Sequence, residues 1–465
     1  MVAAQVSLPS SVERAVAAVA SAQRRVDVAL AGRWRVLVVA LAALAQTVSA
    51  LRVLSRPGYP RLRDSRIFEY VGWQLARGTT LYVETFEVKP PLSFETTAAL
   101  SILAGDDQLL YHHLNVALTC VAAVVAVALV AEFAYAFTGE PAAAVAAGLT
   151  PYVLPQFALR SGFGFKAKYL VLAAGLLALW LAHDEGDGLG RVTGGALGRS
   201  ASDVLAGAAA AAAVGYWQLA AVVPLVVLGM AARRGRGAVA RVVAGGALAS
   251  LVVLAPVLAA GVDGVVAMLN QTVLVSQYAA QGGSALDRAV RAPNMLHWGR
   301  GLFAAGLVGL AVAGWRERGR DGAWPVAACG AWFLAVVVAF DLDAAPDLFP
   351  TLAFVAVGIG LVAGRRGPAV RGVVLAVAVW AAVVNVAFLG GFGVVVEPFD
   401  LADGPPPVAD PGDVEAPYST AEHHALLWYG IPAETCHVFY GPTQQAWVEA
   451  VDGDPLAERC RTTFP

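Results

Sequence analysis

The chain has 465 residues and a formal net charge of −2; 58% of its residues are hydrophobic, only 14% are charged, and mean hydropathy is +0.65. Water-soluble domains carry about 25% charged residues, so this composition excludes an ordinary soluble enzyme. There is no basic tract of the kind that binds nucleic acid, and four cysteines are too few for a disulfide scaffold or a zinc ribbon.

In chain order, residues 1–33 read as a cytosolic segment: 11–31 have helical periodicity but carry Arg24, Arg25 and Asp27, which suits a membrane-surface helix. No cleavable signal peptide is visible, so the first span is expected to act as the signal anchor. Crossing a bilayer core takes about 20 apolar residues. Apolar runs of about that length occur at 34–54, 109–137, 142–160, 167–183, 202–217, 219–232, 242–260, 297–314, 323–340, 347–363 and 372–389. The pattern predicts an all-α polytopic membrane protein of about eleven transmembrane helices, with 34–390 as the membrane domain. Within 202–232 only Tyr216-Trp217-Gln218 separates two spans.

Arginines precede the first span (Arg24, Arg25, Arg33, Arg35), lie between the sixth and seventh (Arg233, Arg234, Arg236, Arg241), and follow the eighth and tenth. The positive-inside rule places these clusters, and the N-terminus, in the cytoplasm. Segment 91–104 is apolar but short and holds Glu95, so it reads as a juxtamembrane helix on the outer face rather than a span. The outer parts are then loop 55–108, a small loop near 160–167, loop 261–296, a tight loop at 341–347, and the C-terminal tail. Asn270-Gln271-Thr272 forms an N-glycosylation sequon on the third of these. The tail divides into a linker at 391–417, containing ADGPPPVADPGD, and a small acidic unit at 418–465. Cys436 and Cys460 fall within that unit, on the oxidising side, and a disulfide between them is expected. Cys120 and Cys329 fall inside spans and read as inert buried thiols.

The first outer loop is dense in ionisable groups in a chain that avoids them elsewhere. Asp64 opens a helical stretch, and Lys89 precedes Pro90-Pro91, an extended corner that starts a new helix. The chain uses arginine nearly everywhere, yet its three lysines, Lys89, Lys166 and Lys168, all fall on outer loops one and two. A compact ammonium holds a phosphate as a point charge, so these lysines, with Arg66 and Arg160, are candidates to bind an anionic lipid headgroup. Ordinary interfacial charge is the alternative. Asp64 is a candidate general base that takes a proton from an attacking hydroxyl; its alternative is a helix N-cap. Glu69 and Glu84 read as salt-bridged or solvated. Glu87 reads the same way or as a Lys89 partner or metal ligand. His112, His113 and His297 read as packing residues at span starts. No HExxH, CxxC or other metal spacing appears, so the sequence establishes no cofactor; a divalent metal, with Glu87 as a candidate ligand, stays open but is not supported by spacing.

Asp64, the stretch Gly78-Thr79-Thr80-Leu81-Tyr82 and the corner Lys89-Pro90-Pro91-Leu92 together resemble the first outer loop of polyprenyl-phosphate-sugar-dependent glycosyltransferases of the GT-C fold. That group includes protein O-mannosyltransferases and aminoarabinose lipid A transferases. The stretch 341–350, DLDAAPDLFP, resembles their late outer loop, and the whole is similar to haloarchaeal dolichyl-phosphate-mannose mannosyltransferases. The resemblance implies transfer of a sugar, mannose above others, from a dolichyl phosphate carrier to a glycan on lipid or on a surface glycoprotein. The transfer takes place on the outer face of the cell membrane, with Asp64 as base and Lys89 on the phosphate. The second outer loop departs from many relatives in having no carboxylate, which favours direct cationic binding of phosphate over a metal. A lipid-carrier flippase is the alternative. It would place charges within the spans, and it would fit better with an inverted repeat of interrupted helices, which the sequence lacks. A non-catalytic scaffold whose tail binds surface-layer protein is a third reading.

Overall fold

The computed structural model describes residues 10–54, 63–183, 198–275, 284–296, 299–316, 322–340, 342, 344–387, 436 and 442–463, with Ser10, Arg63, Asp64, Pro442 and Thr463 by backbone alone. The described residues are helical almost throughout, and their one β feature is an isolated bridge between Leu81 and Thr85. The membrane-sized helices come from uninterrupted apolar sequence. They are α2 (Trp34–Leu54), α5 (Gln108–Thr138), α11 (Arg236–Ala259), α16 (Phe349–Arg365, with the preceding turn) and α17 (Pro368–Ala387), five helices long and apolar enough to cross a bilayer. Shorter apolar helices are α8 (Ala167–Ala182), α10 (Val222–Ala232) and α15 (Trp324–Ala339). α5 runs for 31 residues, about 46 Å at 1.5 Å per residue, so it outruns a hydrocarbon core of about 30 Å. Its first turn is capped by Asp107, which accepts from Leu110 N at 2.9 Å, and Gly139 ends it at φ 69°.

Three expectations change. The run at 142–160 is not one continuous helix. α6 (Pro141–Leu149) and its 3-10 turn end at Val153, and α7 (Pro155–Leu159) leaves at 88°. Pro155 has no N–H to continue the ladder, and its ring opposes the preceding turn. The loop at 261–296 is largely helical: α12 (Gly261–Leu269), a π turn at 270–274, and α13 (Ala285–Met295), which is joined at 114° to α14 (Arg300–Arg316). His112 is not an interfacial packing residue but is fully buried in α5. The separation inside 202–232 falls where the sequence placed it. α9 (Arg199–Tyr216) stops at Trp217, whose backbone is extended (φ −158°, ψ 117°), before a 3-10 turn at 218–221.

The helices give the molecule two chemically different ends. At one end Asp203, at the start of α9, accepts from Arg234 (2.7 Å) and Arg241 (2.9 Å), while Arg234 and Arg199 also donate to Ala182 O. The same end holds Arg35 paired with Glu132, and Arg371 paired with Asp27 and Glu140, which ties α1 (Ser10–Leu30) to α17. These residues lie at the starts of α2, α9, α11 and α17 and the ends of α1, α5 and α10. The opposite ends of α5, α8, α9 and α16 converge on α3 (Arg63–Leu75), α4 (Pro91–Ala104) and the turn between them. Beyond that end sit α18 (Pro442–Ala450) and α19 (Pro455–Thr463), where Cys436 and Cys460 are disulfide-bonded with Cα atoms 5.3 Å apart. The 391–417 linker, Asp341, Asp343 and His297 lie outside the described residues.

Candidate functional site

The turn from 78 to 90 carries Lys89 and has almost no secondary structure of its own, so side chains from elsewhere hold it. Gly78 turns the chain out of α3 at φ 98°, and Tyr82 adopts φ 66°, an unfavourable value for a residue with a Cβ. The Tyr82 hydroxyl donates to Lys89 O at 2.7 Å, and its N–H donates to Thr85 Oγ1 at 3.2 Å. Burial pushes the Tyr82 phenol well up from its ordinary pKa, with the charges of Glu87 and Glu95 adding to the shift, so it stays a hydrogen-bond donor. Gln271 Nε2 donates to Tyr82 O at 2.8 Å, and Gln271 Oε1 accepts from Glu87 N at 3.0 Å. Gln218, beside the break at Trp217, donates to Val88 O at 3.2 Å. Pro90 and Pro91 then start α4, where a missing N–H costs nothing.

The second loop, 160–167, is fixed by α3 and α5. Ser65 Oγ donates to Phe165 O at 2.9 Å, and Phe165 N donates to Glu69 Oε1 at 3.2 Å. Thr119 Oγ1 donates to Gly164 O at 3.2 Å and lies 3.3 Å from Lys166 N. Glu69 is fully buried, with His112 Nδ1 at 3.3 Å from its carboxylate. Gly164 is obligatory here, because its φ is 110° and a Cβ would sit 2.3 Å from Glu69 Oε1.

These two loops meet at a cavity of about 260 Å³ lined by Ile67, Phe68, Glu87, Val88, Lys89, Lys166, Ala167, Lys168, Tyr216, Trp217, Ala344, Pro346 and Asp347. All three lysines of the chain therefore share one wall. Lys168, 8% exposed, lies 3.4 Å from Asp347 Oδ1 and 3.1 Å from the centroid of the Trp217 ring. Trp217 in turn stacks on Phe333. Three lysines and two carboxylates line it, so the cavity suits an anionic group and offers acceptors for hydroxyls. Its volume fits a headgroup rather than a whole lipid. An apolar groove of about 480 Å³ begins at the next residues along the chain: Lys89 and Trp217 line the cavity, while Pro90, Pro91 and Gln218 line the groove, which runs between α9 and α11.

Of the residues singled out in the sequence, Glu87, Lys89, Lys166 and Lys168 come together. Asp64 lies in the first turn of α3, with its side chain outside the described residues. Arg66 lies on α3 and Arg160 in the 3-10 turn at 160–163, 9% exposed; neither lines the cavity. Glu84 accepts from Thr80 N at 2.6 Å within its own turn. The sequon is bound into the fold, with Gln271 buried and the Thr272 hydroxyl donating to Met268 O. Among the described residues no three His, Cys, Asp or Glu side chains gather as a metal site. Sequence reasoning missed Asp347, Trp217, Gln218 and Gln271. Two signals were present: Trp217 sits at the one break in 202–232, and Asp347 sits in the 341–350 stretch.

Comparison with known proteins gives a family match, a relative and two structural neighbours. The family model described as DolP-mannose mannosyltransferase matches residues 78–255, which include the Lys89 turn, the second loop and Trp217. A dolichol phosphate-mannose mannosyltransferase of Haloferax volcanii is 25% identical over 446 residues, covering 89% of this chain and 93% of the relative. The structure of ArnT from Cupriavidus metallidurans bound to undecaprenyl phosphate superposes with a TM-score of 0.53 at 18% identity, over 78% of this chain and 71% of ArnT. Its apo form superposes with a TM-score of 0.50 at 19% identity, over 72% and 60%. At these identities the structural likeness speaks for the fold.

Proposed function

We infer that this chain is a multi-pass membrane glycosyltransferase of the GT-C fold, a dolichyl-phosphate-mannose-dependent mannosyltransferase. The observation that carries the reading is the convergence of Lys89, Lys166 and Lys168 on one cavity whose neighbouring residues open onto an apolar groove. A donor with a charged phosphate, a sugar and a polyprenyl tail needs these two environments side by side. The groove takes the first isoprene units by apolar burial. The cavity takes the phosphate and the mannose, with Glu87 and Asp347 as acceptors for sugar hydroxyls.

The reaction asks little covalent chemistry of the protein. An acceptor hydroxyl oxygen forms a bond to C1 of mannose, the bond from C1 to the phosphate oxygen breaks, and dolichyl phosphate leaves with that electron pair. The acceptor's proton passes to the Asp64 carboxylate, which acts as general base from the first turn of α3. Negative charge accumulates on the leaving phosphate, where Lys89 and Lys166 stabilise it. Lys168 is held by Asp347 and Trp217 and sets the field of the wall. The lysine end faces outward, since the opposite end carries the arginine clusters that the positive-inside rule retains in the cytoplasm. The acceptor is a cell-surface glycan, on lipid or on glycoprotein.

With dolichyl phosphate mannose and a glycan acceptor, Lys89→Ala is expected to lower kcat/KM by about 100-fold, the usual loss when one charge-stabilising donor is removed. Asp64→Asn is expected to abolish transfer while the protein still inserts. Wild-type transfer by both variants would end this assignment.

A further inference from the structure

We propose that the disulfide-closed C-terminal unit is a clamp that positions Lys89, acting through Phe86 and Gln271; this rests on the reading that Lys89 holds the donor phosphate. Phe86, three residues before Lys89, is not packed on the main core. It enters a separate cluster formed with Val275 and with Trp447, Val448, Val451 and Leu456 of the C-terminal unit, its ring centroid 4.5 Å from that of Trp447. Cys436 and Cys460 are buried in the same cluster, so the disulfide closes the socket that receives Phe86.

Gln271 makes the second connection. Its carboxamide joins both limbs of the lysine turn, through Tyr82 O and Glu87 N, and its Nε2 also donates to Asp454 Oδ2 at 3.3 Å. Asp454 is itself fixed. It is buried, and Oδ1 accepts from Leu456 N and Ala457 N at 3.0 and 3.1 Å, capping α19. The turn thus leans on the C-terminal unit at Phe86 and, by way of Gln271, at Tyr82 and Glu87.

The turn needs such support. Its only β feature is the Leu81–Thr85 bridge, and Tyr82 sits at a positive φ that persists only where its surroundings over-determine it. A lysine ammonium rides on a flexible four-carbon stem, so it is placed no better than its backbone. The Tyr82 hydroxyl bonded to Lys89 O carries the constraint from the clamped limb to the lysine. Phe86 is therefore a positioning residue, and the C-terminal unit is part of the donor site rather than an appendage.

A double-mutant cycle on the full chain tests this, read as kcat/KM for dolichyl phosphate mannose. Phe86→Ala is expected to lower it about tenfold and Phe86→Leu to restore most of the loss. In the Lys89→Ala background, Phe86→Ala is expected to cause a clearly smaller loss, because its main effect passes through Lys89 and only the part passing through Glu87 remains. Cys436→Ser should repeat the Phe86→Ala pattern in both backgrounds. If Phe86→Ala lowers kcat/KM by the same factor with and without Lys89, or not at all, the clamp is wrong and the donor reading stands. If Lys89→Ala alone keeps full activity, the donor reading is wrong and the clamp goes with it.

Discussion

Glu69 shows how a charged residue can serve the site without lining it. A fully buried carboxylate is costly unless every lone pair is used, and here it accepts from Phe165 N and sits beside His112. It thereby holds the loop that presents Lys166 and Lys168, a structural task its sequence context does not reveal. The lysines themselves were legible, because a chain that uses arginine nearly everywhere keeps lysine for two loops. Asp347 was not legible as a site residue, since its partnership with Lys168 spans 179 positions of chain, 347 less 168. Glu95 is a different case. It lies on α4 outside the spans, and burial raises its carboxyl from 4.5 to about 7. An acid whose folded pKa is raised binds its proton more tightly when folded. Its effect on stability is therefore unfavourable in sign and grows as pH rises from 4.5 through about 7. Glu95→Gln is expected to melt at a higher temperature than wild type above pH 7, and at the same temperature near pH 4.5. A melting difference that does not change across that range would show that Glu95 is not the titrating group.

Among the elements, the interruptions matter more than the helices. The break at Trp217 frees one side chain to cover Lys168 and the next, Gln218, to reach Val88 O. The proline at 155 turns α7 away from α6, so that the following residues reach the lysine loop instead of completing a span. Both breaks carry local signals, a polar-aromatic triplet and a pair of prolines, yet only the turn chemistry of proline predicts an angle. The α9–α11 crossing depends on absent side chains. A Cβ on Gly207 would lie 1.9 Å from Val242 O, and one on Gly245 would lie 1.9 Å from Val204 O. Backbones this close draw on van der Waals packing of small residues, as membrane helices commonly do. The crossing brings α9 and α11 together near the arginine end, and the apolar groove lies between the same two helices on the way to Lys89. Gly207→Val forces these backbones apart. Overpacking of this kind costs about 1–3 kcal/mol or more, so a lower melting temperature in detergent is expected, and an unchanged melting curve would show that the crossing is not tight.

At the scale of the whole molecule, the division into an arginine end and a lysine end fits a transferase better than a transporter. Among the described residues, ionisable groups gather at the two ends rather than along a path between them, and Arg234, Arg241 and Arg371 at the first end are engaged in ion pairs and a carbonyl contact. The proposed orientation is testable by thiol labelling in intact cells. A cysteine at Glu84, exposed in the turn that carries Lys89, is expected to react with a membrane-impermeant maleimide, and one at Arg25 only after permeabilisation. The free native thiols Cys120 and Cys329 lie within helices α5 and α15. Labelling at 84 from the interior alone would place the lysine end in the cytoplasm, where the proposed donor chemistry does not belong.

By itself the sequence determined the helical class, the membrane setting, most helix positions and the residue types of the site. These follow from local physics: apolar runs long enough for a bilayer, prolines that stop helices, and a lysine usage set apart from arginine. It did not determine which ionisable groups converge. The tertiary structure alone brought Glu87, Lys89, Lys166, Lys168 and Asp347 to one cavity and left Arg66 and Arg160 out of its lining. It also laid the C-terminal unit against Phe86. Contacts between residues this far apart in the chain are chosen by the packing of whole helices, and no window of sequence contains the partners needed to read them.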